Sequence, residues 1–150
     1  LLEIARSVPP LLVDLGAKDA VRVDVAIPES SIPVEIDSMM LKRAIDNLVR
    51  NAVQAVLGSE RGTGHVWVTA THDEESVTIE VRDDGPGLSP DELERVFDPY
   101  FTKKREGTGL GLPIVKKIVF EHDGSVHAEP SPEGGARFVL RLPVSRARLA

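Results

Sequence analysis

The feature that most constrains the fold of this chain is a glycine-rich run that leads into a helix. Residues 107–112 read Gly-Thr-Gly-Leu-Gly-Leu, and a helical apolar pattern continues from there to Glu121. Glycine lets a ligand approach the backbone closely, and a helix start presents unpaired N–H groups and a positive dipole end. The arrangement favours an anion such as a phosphate chain. Alone the run is a weak indication, so its meaning depends on the rest of the chain.

Size and composition predict one globular domain over residues 1–150. The net charge is −6 and no basic face stands out, which argues against nucleic-acid binding. The absence of cysteine excludes disulfides and thiolate metal sites. No signal peptide and no apolar run of about 20 residues is visible. We therefore expect a cytoplasmic domain. Because the chain starts at Leu1 without Met, we expect a fragment whose parent protein can be membrane-attached.

Helical periodicity predicts four helices, and their ends carry recognisable breakers and caps. They span residues 1–20, 38–57, 90–96 and 109–121. Pro9 and Pro10 kink the first helix. Asp37 is a suitable N-cap for the second helix, and Gly58 stops it. The predicted core face of that helix comprises Leu41, Ala44, Ile45, Leu48, Ala52 and Val56.

Alternating apolar residues predict strands that form successive hairpins. The predicted strands span residues 21–27, 32–36, 65–72, 76–82, 124–129 and 136–142, and the tail 145–150 is predicted to fray. Successive hairpins imply antiparallel pairing. We predict an α+β fold, a two-layer α/β sandwich whose mixed, mainly antiparallel sheet is covered on one face by three helices.

Polar side chains on the second predicted helix form the first candidate cluster. Asn47 and Asn51 are four residues apart and share one face, which Gln54 extends. Amide oxygens can complete a Mg²⁺ shell shared with phosphates. The alternative is a solvated face of an amphipathic helix. Two asparagines inside a helix are mildly unfavourable for stability, which favours a functional role.

The long irregular segment after the fourth predicted strand holds two further clusters. Asp83, Gly85 and Gly87 follow a strand directly, where a carboxylate can accept a hydrogen bond from an amine such as that of adenine. The alternative is a plain turn. Residues 97–101 contain three aromatic side chains. They either anchor the loop to the core or form the hinge of a lid, in which Lys103, Lys104 or Arg105 would reach phosphates.

Together the clusters resemble the N, G1, F and G2 boxes of sensor histidine kinases, in that family's order. The matching segments are Asn51-Ala52, Asp83-x-Gly85-x-Gly87, Phe97-Asp-Pro-Tyr-Phe101 and Gly107-x-Gly109-x-Gly111-Leu112. Each box is weak alone, but four in register make chance an unsatisfactory explanation. The resemblance covers roughly residues 20–143.

The resemblance implies a Bergerat-type ATP-binding catalytic domain. It implies that Asp83 binds adenine, that Asn51 holds Mg²⁺, and that residues 86–108 form a lid over the phosphates. The cofactor-binding residues implied for ATP and Mg²⁺ are Asn47, Asn51, Gln54, Asp83, Gly85, Gly87, Lys103, Lys104, Gly107, Thr108, Gly109, Leu110, Gly111 and Leu112.

The sequence departs from the family's pattern at several positions. Gln54 and Ala55 stand where many members have a lysine and an aromatic residue, a variant similar to the nitrogen-regulation branch. Some relatives have an arginine in place of Thr102. Ala136 stands where the family often has a threonine close to the adenine-binding aspartate, so that contact is expected to be lost or replaced by water.

No histidine of this chain has the setting of the family's phosphoacceptor. We therefore expect no catalytic residue here, and an acceptor histidine on a separate dimerisation domain. The resemblance implies a downstream response regulator, and the fragment itself should be monomeric. The alternatives are an ATPase of the gyrase and heat-shock chaperone type, a serine kinase that restrains a sigma factor, and a nucleotide-binding module without chemistry. Asn47 stands where those ATPases place a glutamate base, and an amide is a poor base.

Overall fold

The computed structural model of the chain describes residues 20–26, 37–99 and 111–144. Within these ranges five strands form a single sheet, and three helices contact it. The strands are β1 (Val21–Ala26), β2 (Gly64–His72), β3 (Ser76–Asp83), β4 (Ser125–Pro130) and β5 (Ala136–Pro143). The helices are α1 (Ser38–Leu57), α2 (Pro90–Arg95) and α3 (Gly111–Glu121).

The sheet is mixed, with strand order β1-β2-β3-β5-β4. β1 and β2 pair in parallel, whereas the other three pairs are antiparallel. Parallel neighbours need a crossover connection, and α1 lies in the connection between β1 and β2. The predicted mixed, mainly antiparallel α+β fold is confirmed, including the hairpins β2–β3 and β4–β5.

One face of the sheet carries the core, because alternate residues of each strand point to it. The buried inward residues of the three central strands are Val66, Val68, Ala70, Val77, Ile79, Val81, Asp83, Ala136, Phe138, Leu140 and Leu142. All are apolar except Asp83. A buried carboxylate among apolar core residues is unusual and marks this end of β3 as a candidate site.

Helix α1 packs against β1, β2 and β3 of the sheet and against α3, which itself contacts β4 and β5. The six predicted core residues of α1 are all buried, and Val49 and Val53 are buried as well. The buried stripe of α1 is wider than predicted because the helix packs both against the sheet and against the neighbouring helix α3. Asp37 caps it as predicted, accepting the Met39 N–H at 2.8 Å, and Gly58 ends it.

Several predictions differ from the structure by a residue at the ends of elements, and one difference matters. β3 continues to Asp83, one residue beyond the predicted end, so the carboxylate belongs to the strand. The predicted first helix, apart from its last residue Ala20, the predicted strand over 32–36 and the tail over 145–150 lie outside the described residues. Among the described helices, none has the length and apolar character needed to cross a membrane.

Candidate functional site

Asp83 ends β3 and is the chemical centre of the candidate site. Its side chain faces the core side of the sheet, and the residue is only 1% exposed. Its Oδ1 accepts hydrogen bonds from the backbone N–H groups of Gly85 at 2.9 Å and Ala136 at 3.4 Å. Its Oδ2 is buried and has no hydrogen-bond partner among the described residues. One oxygen is therefore held by the fold, and the other is an open acceptor.

The charge of Asp83 is costly in this position. Burial raises the pKa of the carboxyl to about 6, although the hydrogen bonds from Gly85 and Ala136 oppose the rise, and the nearby charge of Asp84 adds to it. At neutral pH the group is still mainly ionised. An ionised, buried oxygen without a partner favours a ligand that donates a hydrogen bond.

Glycines bring three backbone segments close around Asp83. An added Cβ on Gly85 would lie 3.3 Å from the backbone of Ala55 in α1, and one on Gly87 would lie 3.0 Å from the Gly134 carbonyl oxygen. Gly87 also has a positive φ of 76°, which glycine adopts without strain. The predicted glycines Gly85 and Gly87 thus let the segment pass between α1 and the β4–β5 turn.

The polar stripe of α1 runs between two glycine segments. Ala55, at one end, contacts Gly85, and Asn47, at the other, has its Oδ1 3.3 Å from where a Cβ of Gly111 would lie. Asn51 lies midway, one helical turn from each and on the same face. Helix α1 therefore meets the Asp83 segment at Ala55 and the start of α3 at Asn47, and Asn51 lies between these two positions along the helix.

Of the remaining predicted site residues, some lie within the described ranges and the others lie outside them. Gln54 is half-buried on α1, and Leu112 packs partly buried against the core. The Asn47 side chain also donates to the Arg43 carbonyl at 3.0 Å, within its own helix. Six predicted residues lie outside the described ranges, namely Lys103, Lys104, Gly107, Thr108, Gly109 and Leu110.

Phe97 fixes the start of the aromatic segment to the core. Its ring meets that of Phe138 edge to face, with centroids 6.1 Å apart and planes at 90°. Val96, beside it, is buried. This contact agrees with the loop-anchor interpretation of the aromatic cluster.

The β4–β5 turn contributes to the site in a way that the sequence did not indicate. An added Cβ on Gly135 would lie 2.2 Å from both the carbonyl oxygen and Oδ1 of Asp83. No side chain fits there, so the turn lies directly on the carboxylate. The pair Gly134-Gly135 was visible in the sequence as a turn, but nothing indicated what it would lie against.

Comparison with known proteins identifies the family of this chain. Residues 36–146 match the family described as histidine kinase-, DNA gyrase B-, and HSP90-like ATPase. The sensor histidine kinase ZraS of Escherichia coli O157:H7 is 43% identical over 115 residues, which are 77% of this chain and 24% of that protein. The chain spans about a quarter or less of the length of the curated relatives it matches.

Solved structures extend the match to nearly the whole chain. The nucleotide-free catalytic domain of the histidine kinase ThkA has a TM-score of 0.79 and 30% identity, covering 95% of this chain and 92% of that one. The histidine kinase ThkA in complex with the response regulator TrrA has a TM-score of 0.77 and 27% identity, covering 99% of this chain and 41% of that one. The chain therefore belongs to the histidine kinase-, DNA gyrase B- and HSP90-like ATPase family, as an ATP-binding catalytic domain of the sensor histidine kinase type.

Proposed function

We propose that this domain binds Mg-ATP and transfers the γ-phosphoryl group to a histidine on a separate dimerisation domain, in two-component signalling. Asp83 receives a hydrogen bond from the adenine amino group, and Asn51 holds Mg²⁺. Residues 86–108 form a lid that covers the phosphates, with Lys103 or Lys104 in contact with them. Since this chemistry consumes ATP, we place it in the cytoplasm.

The observation that carries this proposal is the open acceptor on Asp83. Two backbone N–H groups hold Oδ1, while Oδ2 is buried and unpartnered among the described residues. A ligand amine would satisfy it. Asn51 is half-buried on α1, one helical turn before Ala55, whose backbone approaches Gly85.

Asn47 favours phosphoryl transfer over ATP hydrolysis as the reaction of this domain. Transfer depends mainly on positioning and charge neutralisation, so the catalytic domain needs no nucleophile of its own. Water would need a base, whereas Asn47 offers an amide that is already bonded to the Arg43 carbonyl. An ATPase of the same family and a binding module without chemistry remain the alternative functions.

Removal of the Asn51 amide tests the metal assignment. We expect Asn51→Ala to weaken binding of ATP in the presence of Mg²⁺ by at least about tenfold, because a hard oxygen ligand is lost. Binding measured with EDTA should change far less. Isothermal titration calorimetry under the two conditions gives both affinities.

A matched control for this variant is Lys42→Ala on the same helix. Lys42 is exposed and pairs only with Asp46 at 3.8 Å among the described residues, so its loss should leave both affinities within about twofold. Equal losses for Asn51→Ala with and without Mg²⁺ would contradict the metal role.

The histidines of the described ranges support a separate acceptor. His65 pairs with Asp24 and stacks on Trp67, and His122 Nδ1 lies 2.7 Å from the Ile118 carbonyl oxygen. His127 pairs with Glu129 at 3.3 Å. These contacts are structural. A response regulator is the proposed downstream partner, and the solved complex of the histidine kinase ThkA with the response regulator TrrA supports this proposal.

Phosphotransfer assays test the overall function. With γ-labelled ATP and Mg²⁺, we expect no acid-labile phosphohistidine on this chain alone. Labelling should appear on an added histidine-containing dimerisation domain of a sensor kinase. A His72→Asn variant serves as the control for the exposed hairpin histidine. Any acid-labile label on this chain would contradict a separate acceptor, and its loss in His72→Asn would identify His72 as the phosphorylated residue. Rapid phosphate release without transfer would favour the ATPase.

A further inference from the structure

Consecutive residues of β3 connect the two faces of the sheet at the site. Asp83 points to the core side, and Arg82 points to the opposite side. There the Arg82 guanidinium carbon lies 5.2 Å from the centroid of the Trp67 ring, which in turn stacks on His65. Any shift of the end of β3 that moves Asp83 therefore also moves Arg82 over Trp67.

The carboxylate of Glu133 ties Arg82 to the β4–β5 turn. Arg82 Nε donates to Glu133 Oε1 at 3.1 Å, and Ser131 Oγ donates to Glu133 Oε2 at 2.6 Å. Ser131 is 7% exposed. Partial burial raises the pKa of Glu133, but the hydrogen bonds from Ser131 and Arg82 outweigh it and leave the pKa below its usual range. Glu133 is therefore an anion that bridges two elements at neutral pH.

The same turn returns to Asp83 on the other face. Ser131 N–H donates to the Gly135 carbonyl at 2.8 Å, which closes the turn. Gly135 then lies against Asp83 too closely for any side chain, and the Ala136 N–H reaches Asp83 Oδ1. Arg82, Glu133, Ser131 and Gly135 thus form a closed path that begins and ends at adjacent residues of β3. We call the Arg82–Glu133–Ser131 contacts the clasp.

We propose that Glu133 is a positioning residue for nucleotide binding, because the clasp holds the Gly135–Ala136 backbone against Asp83. The inference rests on the proposed binding of adenine at Asp83. Glu133 does not touch the nucleotide in this proposal. It sets the position of the Ala136 N–H, and so which oxygen of Asp83 stays open for the ligand.

Binding of ADP to the whole chain tests the clasp. Trp67 is the sole tryptophan, so its emission reports Arg82 directly. In the wild type, we expect an emission change that saturates with the calorimetric affinity for ADP. In Glu133→Ala, affinity should fall by about tenfold, the effect of losing a charge-assisted contact, and the emission change should shrink. Glu133→Gln keeps an acceptor for Ser131 and should lose only about threefold.

Glu129→Ala is the matched control, since Glu129 pairs with Arg137 and His127 in the same hairpin, whereas Glu133 makes the contacts of the clasp. Thermal unfolding should shift similarly in Glu129→Ala and Glu133→Ala, whereas only Glu133→Ala should lose affinity. Wild-type affinity and emission change in Glu133→Ala would overturn the positioning role alone. A wild-type chain that does not bind ADP would overturn the proposed function, and this inference with it.

Discussion

Asp83→Asn is expected to abolish nucleotide binding and to stabilise the ligand-free domain. The amide would keep its oxygen on the Gly85 and Ala136 N–H groups, so its NH₂ would take the place of the open Oδ2. A donor would then face the adenine amine, which is also a donor. Sites built around one buried hydrogen bond lose most of their affinity when it cannot form. We expect a loss of about 100-fold or more in ATP and ADP affinity by calorimetry.

The opposite effect on stability follows from the raised pKa of Asp83. Between the ordinary pKa of 3.8 and the folded value of about 6, the folded state binds more protons than the unfolded state. The free energy of unfolding of the wild type therefore falls as pH rises through this window. Above it, the ionised carboxylate costs about 1–3 kcal/mol. Asp83→Asn should be more stable by an amount of this order at pH 7, and the difference should shrink towards pH 4.

Asp84→Asn is the matched control, because it removes the same charge one residue away. Asp84 Oδ1 accepts the His65 N–H at 2.8 Å, a bond that an asparagine oxygen can keep. We expect nucleotide affinity within about threefold of wild type. Urea unfolding at several pH values completes the test. If Asp83→Asn bound ADP normally, or proved less stable than wild type at pH 7, the proposed role of the carboxylate would be wrong.

Much of the fold could be predicted from local patterns. The alternation of apolar residues in 65–72 and 76–82 predicted the β2–β3 hairpin, and the helical periodicity of 38–57 predicted α1 with its cap at Asp37. These features depend on residues close together in the chain. The parallel pairing of β1 with β2 was not predictable in the same way, because it depends on where the α1 crossover returns the chain.

The main residues of the candidate site could be predicted from the sequence, but the packing of the β4–β5 turn against Asp83 could not. Asp83 was noticeable as a carboxylate directly after a predicted strand, and Asn51 as an asparagine inside a predicted helix. Gly135 and Glu133 were not noticeable, since they act on residues about 50 positions earlier in the chain. The hydrogen bond from the Ala136 N–H to Asp83 also shows what the alanine retains where the family often has a threonine: a backbone donor.

The adjacent glycines of the β4–β5 turn should respond differently to alanine. Gly134 has a φ of 100° but open space around its Cβ position, whereas Gly135 has no room beside Asp83. Gly134→Ala should cost about 1–2 kcal/mol of unfolding free energy through backbone strain. Gly135→Ala should cost about 2–4 kcal/mol, because the turn has to move away from β3. Urea unfolding followed by circular dichroism measures both costs.

Nucleotide affinity separates the two variants further. When the turn moves away in Gly135→Ala, the Ala136 N–H leaves Asp83 Oδ1, and the geometry of the open oxygen changes with it. We expect ADP affinity to fall by at least about tenfold in this variant and by less than about threefold in Gly134→Ala. Comparable losses in both would mean that the turn supports the site only through general stability. A larger loss in Gly134→Ala would mean that its backbone angle, rather than the close approach to Asp83, holds the turn in place.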